Sequence, residues 1–187
     1  MQFFVDPQLY FGPPEAPLPP QDGCFALLER LGIAYARANH DHADTIEACH
    51  AVEAVLGCRI CKNLFLTNRQ QTHFYLLMMP GDKPFKTKDL SRQLGVARLS
   101  FASPEQMEQY LNLRPGAVSV LGLIYDRERA VELVIDRELL GEEFLSCHPC
   151  DSSATLRLTT ADVMKKLLPA LGYTPTLVDL PWPEANS

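Results

Sequence analysis

Three short segments hold side chains and backbone patterns suited to chemistry. Lys62 stands in Cys61-Lys62-Asn63-Leu64-Phe65-Leu66, at the mouth of an apolar run that reads as a buried strand. A lysine there has two fates. It snorkels to water as a solvated strand end, or it points into a cleft and holds something electron-rich. Pro115-Gly116-Ala117-Val118-Ser119 opens a second apolar run. A small-residue turn lets backbone N–H groups approach a ligand closely. Such groups can form an oxyanion hole for ester cleavage, although the same pattern serves as an ordinary turn. Cys147-His148-Pro149 sets a histidine before a proline, which restricts the local chain and aims the ring. Asp151, Ser152, Ser153 and Thr155 follow with further hydrogen-bonding groups.

Other clusters are weaker. Cys58-x-x-Cys61 and Cys147-x-x-Cys150 have the form of paired zinc ligands. Zinc ribbons separate such pairs by about 15–20 residues, and these two lie much further apart. A zinc module therefore stands as an alternative to small buried thiols near one cleft. His40-Asp41-His42 with Asp44 reads as a solvated loop, and no metal or other cofactor is expected. Lys83, Lys86, Lys88 and Arg92, with Arg98 beyond them, make a local basic stretch offset by Asp82 and Asp89. It is a solvated helix face or an edge that contacts phosphate. The sequence has no Gly-rich phosphate loop, Gly-x-Ser-x-Gly elbow or His-Glu-x-x-His. That argues against nucleotidase, serine esterase and zinc protease chemistry.

The elements that must position these residues follow from periodicity and punctuation. The prolines between Pro7 and Pro20 remove donors and fix φ, so residues 1–22 read as an extended arm. Helices are expected at Gly23 to Leu31, with Asp22 as cap, and at Ala48 to Leu56, after Thr45 and before Gly57. Further helices are expected at Thr87 to Leu94 with a capping threonine, at Ser103 to Leu111, and at Thr160 to Leu171. Strands are expected at Ile33 to Asn39, Arg98 to Phe101, Thr155 to Leu158 and Thr176 to Leu180. Two hairpins are expected, Asn63 to Thr67 with His73 to Met79, and Ala117 to Tyr125 with Ala130 to Ile135. The pattern predicts an α+β fold. It is a single domain over residues 23–180 with a mixed, mostly antiparallel, barrel-like sheet surrounded by helices, and residues 181–187 form a tail.

Bulk properties set the limits. The 187 residues favour one domain, and 47% hydrophobic with 21% charged residues is ordinary for a globular chain. A net charge of −6 argues against charge-driven binding to DNA or anionic membranes, but leaves room for nucleic acid held by a local basic patch. The N-terminus lacks a basic region followed by a long apolar stretch, and no window has the length of a membrane span. The six cysteines are then expected to be reduced thiols of a cytoplasmic protein.

Taken in order, the motifs resemble a known family. Lys62-Asn63-Leu64-Phe65-Leu66 is followed by Arg98-Leu99-Ser100-Phe101-Ala102-Ser103-Pro104-Glu105 and Pro115-Gly116-Ala117-Val118. Cys147-His148-Pro149 and Ala154-Thr155-Leu156 complete the set. The set is similar to the free-standing YbaK-like aminoacyl-tRNA editing proteins of the prolyl-tRNA synthetase-associated branch, over about residues 23–180. The resemblance implies hydrolysis of a mischarged aminoacyl ester on tRNA(Pro), most often alanine, with prolyl-tRNA synthetase as a further partner. It implies Lys62 as the essential lysine, Gly116 in the substrate loop and His148 in the pocket. Asn63, Ala117, Val118, Ser119, Asp151, Ser152 and Ser153 are expected to bind substrate, and Lys83, Lys86, Lys88 and Arg92 to bind tRNA. Two departures bear on specificity. Gly116-Ala117-Val118-Ser119-Val120-Leu121-Gly122-Leu123 lacks the proline that many relatives carry in this loop. Cys150-Asp151-Ser152-Ser153 stands where relatives often have Leu-Val-Asn-Thr. Serine or cysteine thus join alanine as expected substrates. A non-catalytic protein of the same fold that binds tRNA or a synthetase is the competing reading.

Overall fold

The strands divide between two sheets. In the computed structural model, residues 3–184 are described; residues 1–2 of the arm and 185–187 of the tail lie outside them. The first sheet has the order β1 (Val5–Tyr10), β2 (Ala36–His40), β8 (Ala154–Thr159), β7 (Phe144–Cys147), and is antiparallel throughout. The second has the order β5 (Ser100–Phe101), β3 (Cys61–Thr67), β4 (Phe74–Pro80), β6 (Val131–Asp136), β9 (Thr176–Val178). Its β5–β3–β4 part is antiparallel, and β4–β6–β9 is parallel.

The proline-rich arm contributes a strand. Val5 pairs with His40 and Leu9 with Ala38, with an irregularity between them. β1 lies at a sheet edge, where a proline such as Pro7 is tolerated because one side of the backbone needs no partner.

Helix ends follow local chemistry. α2 (Ile46–Leu56) begins with Thr45 Oγ1 accepting from the Ala48 N–H at 3.1 Å and ends on Gly57 at φ 71°. α4 (Pro104–Leu111) carries a full capping box between Ser103 and Gln106. α1 (Gln21–Arg30) starts before Asp22, which lies in its first turn and is not its cap. α3 (Thr87–Leu94) includes Thr87, so the cap position belongs to Lys86, and no side chain caps it. The last helix, residues 160–171, is α at each end with a π turn at Val163–Leu167.

The second expected hairpin is a misreading. Val120–Tyr125 is a 3-10 helix, and β6 pairs with β4 in parallel. Both sides of an apolar run are buried whether it is strand or helix, so periodicity does not separate the two.

β4 is buried at every position because the sheet is covered on both faces. Phe65, Leu76, Met78 and Leu133 pack with Leu28, Leu121 and Leu158 on one side. Leu66, Leu77, Met79 and Val134 pack with Leu90, Leu99 and Leu180 on the other. The two sheets meet where the Cys61 N–H donates to Ser146 Oγ at 2.8 Å. The ends of β2, β3, β7 and β8 converge at this junction.

Candidate active site

A cavity of about 590 Å³ opens at the junction. β3 delivers Lys62 and Asn63 to it, the 114–119 loop delivers Gly116 and Val118, and the segment after β7 delivers His148. Thr45, Cys49 and Glu53 of the α2 region form another wall, with Thr155 of β8.

Lys62 is half-buried, and its Nζ donates to the Lys83 carbonyl oxygen at 2.7 Å. Burial pulls its pKa below the ordinary lysine value, with the nearby Asp82 carboxylate partly opposing that. No carboxylate pairs with its Nζ among the described residues, so two of its three donors remain for a ligand.

Gly116 has φ +87°, in the left-handed region, and a Cβ there would fall 2.4 Å from the His42 ring. The backbone conformation favours glycine, and a larger residue would also have to push the exposed His42 ring aside. The Ala117 N–H closes the turn onto the Arg114 carbonyl at 3.0 Å. Asn63 Oδ1 accepts from the Val120 N–H at 3.2 Å, which ties the strand carrying Lys62 to this loop. Gly116→Ala is expected to lower turnover by about a hundredfold, since displacements near 1 Å cost that much. Steady-state kinetics alongside a thermal melt would separate this from unfolding.

His148 Nδ1–H donates to the Ala154 carbonyl at 2.7 Å, which leaves Nε2 as an acceptor. Its ring centroid lies 6.1 Å from that of His40. His40 donates from Nδ1 to the Asp41 carbonyl at 2.6 Å, and its Nε2 accepts from Thr155 Oγ1 at 2.8 Å. Burial pushes both histidines below their ordinary value of 6.5. The folded chain then binds fewer protons than the unfolded chain just below pH 6.5. Stability from these rings is full above that value and is lost as pH falls through the window beneath it. Thermal melts from pH 7.5 down to 5 should show the decline, and His148→Gln should flatten it.

Three cysteines line the cavity, Cys49, Cys61 and Cys147, and burial is the leading cause that raises each thiol pKa. They are protonated at neutral pH and do not supply a thiolate nucleophile. The zinc alternative loses its fourth ligand, because Cys150 faces Cys24 with Sγ atoms 2.9 Å apart. Among the described residues no group of three or more histidine, cysteine or acidic side chains could hold a metal.

Several expected contacts lie elsewhere. Ser119 is fully buried; its hydroxyl donates to the His148 carbonyl at 2.6 Å and accepts from the Leu121 N–H at 3.2 Å. It braces the two loops together and does not face a ligand. Ala117 is buried outside the cavity wall. Asp151, Ser152 and Ser153 form a turn in which Asp151 Oδ1 accepts from the Ser153 N–H, and none of the three lines the cavity. Lys83 is buried and ion-paired to Asp136 and Glu138, so it is out of reach of a nucleic acid. Arg92 is exposed but paired with Asp89. Lys86 and Lys88 are exposed and unpaired among the described residues. His42, placed over Gly116, and the α2 wall were not anticipated. The clue was the Asp41–Thr45 segment, which pairs a histidine with a helix start.

The cleft gathers a half-buried lysine, a glycine turn and a histidine, without metal-ligand geometry among the described residues. Residues 40–166 match the aminoacyl-tRNA editing domain family, and the chain belongs to that family of aminoacyl-tRNA deacylases. It is 36% identical over 155 residues to the prolyl-tRNA editing protein ProX of Acetoanaerobium sticklandii, covering 83% of this chain and 94% of that one. It is 34% identical over 153 residues to prolyl-tRNA synthetase associated domain-containing protein 1 of Danio rerio, covering 81% and 82%. A crystal structure described as a candidate trans-editing enzyme for prolyl tRNA synthetase shares the fold. Its TM-score is 0.64 at 21% identity, with 88% of this chain and 98% of that one covered. No helix among the described residues is long and apolar enough to cross a membrane.

Proposed function

We propose that the protein hydrolyses, in trans and in the cytoplasm, the ester joining a small amino acid to the terminal adenosine of tRNA(Pro), with alanine as the leading substrate. The observation that carries this reading is the convergence of Lys62, the Gly116 turn and His148 on one cavity. The names of the relatives point to the same tRNA. Prolyl-tRNA synthetase supplies the substrate. A synthetase pocket for proline rejects the smaller alanine weakly, and a second site removes what the first admits.

The reaction needs no enzyme nucleophile. Water attacks the ester carbonyl and generates a tetrahedral oxyanion, which collapses with loss of the ribose oxygen; the proton given up by the water passes to that oxygen and the free amino acid leaves. The backbone N–H groups of Gly116 and Val118 and the Lys62 ammonium offer donors to the developing charge or to the adenosine oxygens. His148 Nε2, held unprotonated, accepts a hydrogen bond from the attacking water or from the substrate ammonium. Asn63 keeps its amide N–H groups for the nucleotide, and Lys86, Lys88 and Arg92 contribute phosphate contacts.

The test is a deacylation panel of alanyl-, seryl-, cysteinyl- and prolyl-tRNA(Pro) with the purified protein. Hydrolysis of alanyl-tRNA(Pro) with prolyl-tRNA(Pro) spared is the expected result. Tight tRNA binding without turnover of any of the four esters would instead make the chain a non-catalytic binder.

A further inference from the structure

A second groove borders the cavity. Pro84 lines the cavity and Phe85 lines the groove, so one stretch of chain forms the edge of both. Four exposed cations surround the groove: Arg69, Lys86, Lys88 and Arg98. No carboxylate lines it, in a chain whose net charge is −6. None of the four belongs to an ion pair among the described residues, a state they share with other cations of the chain; what sets them apart is that all four border one groove. Four cations clustered on one groove with no carboxylate among its lining give an acidic protein a local surface suited to an anion.

The groove also holds aromatic rings. Phe101 is 58% exposed, unusual for phenylalanine, and sits edge-on to Phe85 with centroids 6.1 Å apart. Phe101 is held on the two-residue strand β5, opposite Leu66 of β3. Lys62 lies four residues back along β3, roughly 13 Å away at the rise of a strand. Exposed rings interleaved with unpaired cations make a stacking platform for single-stranded nucleic acid, whose bases lie on the rings while its phosphates meet the cations.

We propose that this groove is the docking surface for the unpaired 3′ strand of the RNA whose terminal ester enters the cavity, with a base stacked on Phe101. The proposal rests on the deacylase reading for the identity of the RNA. It adds Arg69, Arg98, Phe85 and Phe101 to the residues that touch it.

The test measures binding of uncharged tRNA(Pro) transcript to the full-length protein by fluorescence anisotropy across a salt series. Phe101→Ala is expected to bind about tenfold more weakly. The paired charge reversals Lys88→Glu and Arg98→Glu should weaken binding further and lower the slope of log affinity against log salt by at least about 1. A transcript trimmed of its unpaired 3′ nucleotides should bind wild type and Phe101→Ala equally. Equal losses on intact and trimmed transcripts would overturn the single-strand assignment. Wild-type affinity in all variants, or no binding by the wild type, would overturn the groove itself. Turnover reads out separately. Groove-dependent binding without ester hydrolysis keeps the groove and removes the deacylase. Hydrolysis unaffected by the groove variants does the reverse. Phe101 is exposed and the charges lie at the surface, so circular dichroism should show an unchanged fold.

Discussion

Lys62→Ala should lower deacylation by at least about a hundredfold, the loss that follows removal of one donor to a developing oxyanion. Its melting temperature should barely move. The ammonium makes one hydrogen bond to the protein, to the Lys83 carbonyl, and burial works against its charge. The folded chain therefore gains little from this cation and keeps it for a ligand. The kinetic parameters show which oxygen it holds. A fall in kcat with KM unchanged places the ammonium on charge that develops only in the transition state. A rise in KM with kcat unchanged places it on a phosphate or ribose hydroxyl bound equally in the ground state. Wild-type rates in this variant would remove Lys62 from the mechanism. The direction of its titration adds a further expectation. Because burial favours the neutral amine, enzymatic turnover should fall on the alkaline side before pH reaches the ordinary lysine value of 10.5. Spontaneous ester hydrolysis must be subtracted at each pH.

Lys83→Met should produce the largest loss of stability, about 3–5 kcal/mol. Lys83 is 2% exposed, with Nζ 2.7 Å from Asp136 Oδ2, 2.7 Å from Glu138 Oε2 and 2.9 Å from the Leu180 carbonyl oxygen. Burial works to lower its pKa, and the two carboxylates outweigh burial and hold it above the ordinary value. Removing the ammonium leaves Asp136 buried without its cation. For a chain of this size that corresponds to a fall in melting temperature of roughly 6–20 °C. Lys83→Met combined with Asp136→Asn should recover part of the loss, because the unpaired charge is gone while the amide oxygen can still cap the following turn. The effect reaches the cavity as well. The Lys83 carbonyl holds the Lys62 ammonium, so a loosened 81–84 segment should reduce activity even at temperatures where the variant is folded. A melting temperature within about 2 °C of wild type would show that the pair contributes no net stability.

The catalytic end of the molecule was legible because its residues are punctuated locally. Lys62 opens an apolar strand, Gly116 follows a proline and His148 precedes one, and each such signal survives without knowledge of the fold. The residues that were misread depend on partners distant in sequence. Lys83 looked like its neighbours Lys86 and Lys88, and only the approach of Asp136 and Leu180 makes it a buried anchor. Ser119 looked like a ligand group, and the carbonyl it serves belongs to residue 148. His40 looked like part of a polar loop because the closing strand, β8, lies more than a hundred residues away, whereas His42 is exposed on such a loop as expected. The strands that went unrecognised have similar causes. Pro7 disguises the edge strand β1, and β7 is too short, at four residues, to show a period.

The order of strands has a consequence for how the chain acquires its shape during synthesis. β2 waits for β8, β4 waits for its parallel partner β6, and β6 in turn waits for β9. Each sheet thus recruits a member from the last third of the sequence. Pairings so far apart carry a large loop-closure cost and are formed slowly. Until they form, the continuous apolar face of Phe74–Pro80 is uncovered. A nascent chain halted before residue 131 is therefore expected to be a client for chaperones and to have no assembled cavity, since β7, His148 and β8, which form one side of it, are not yet made.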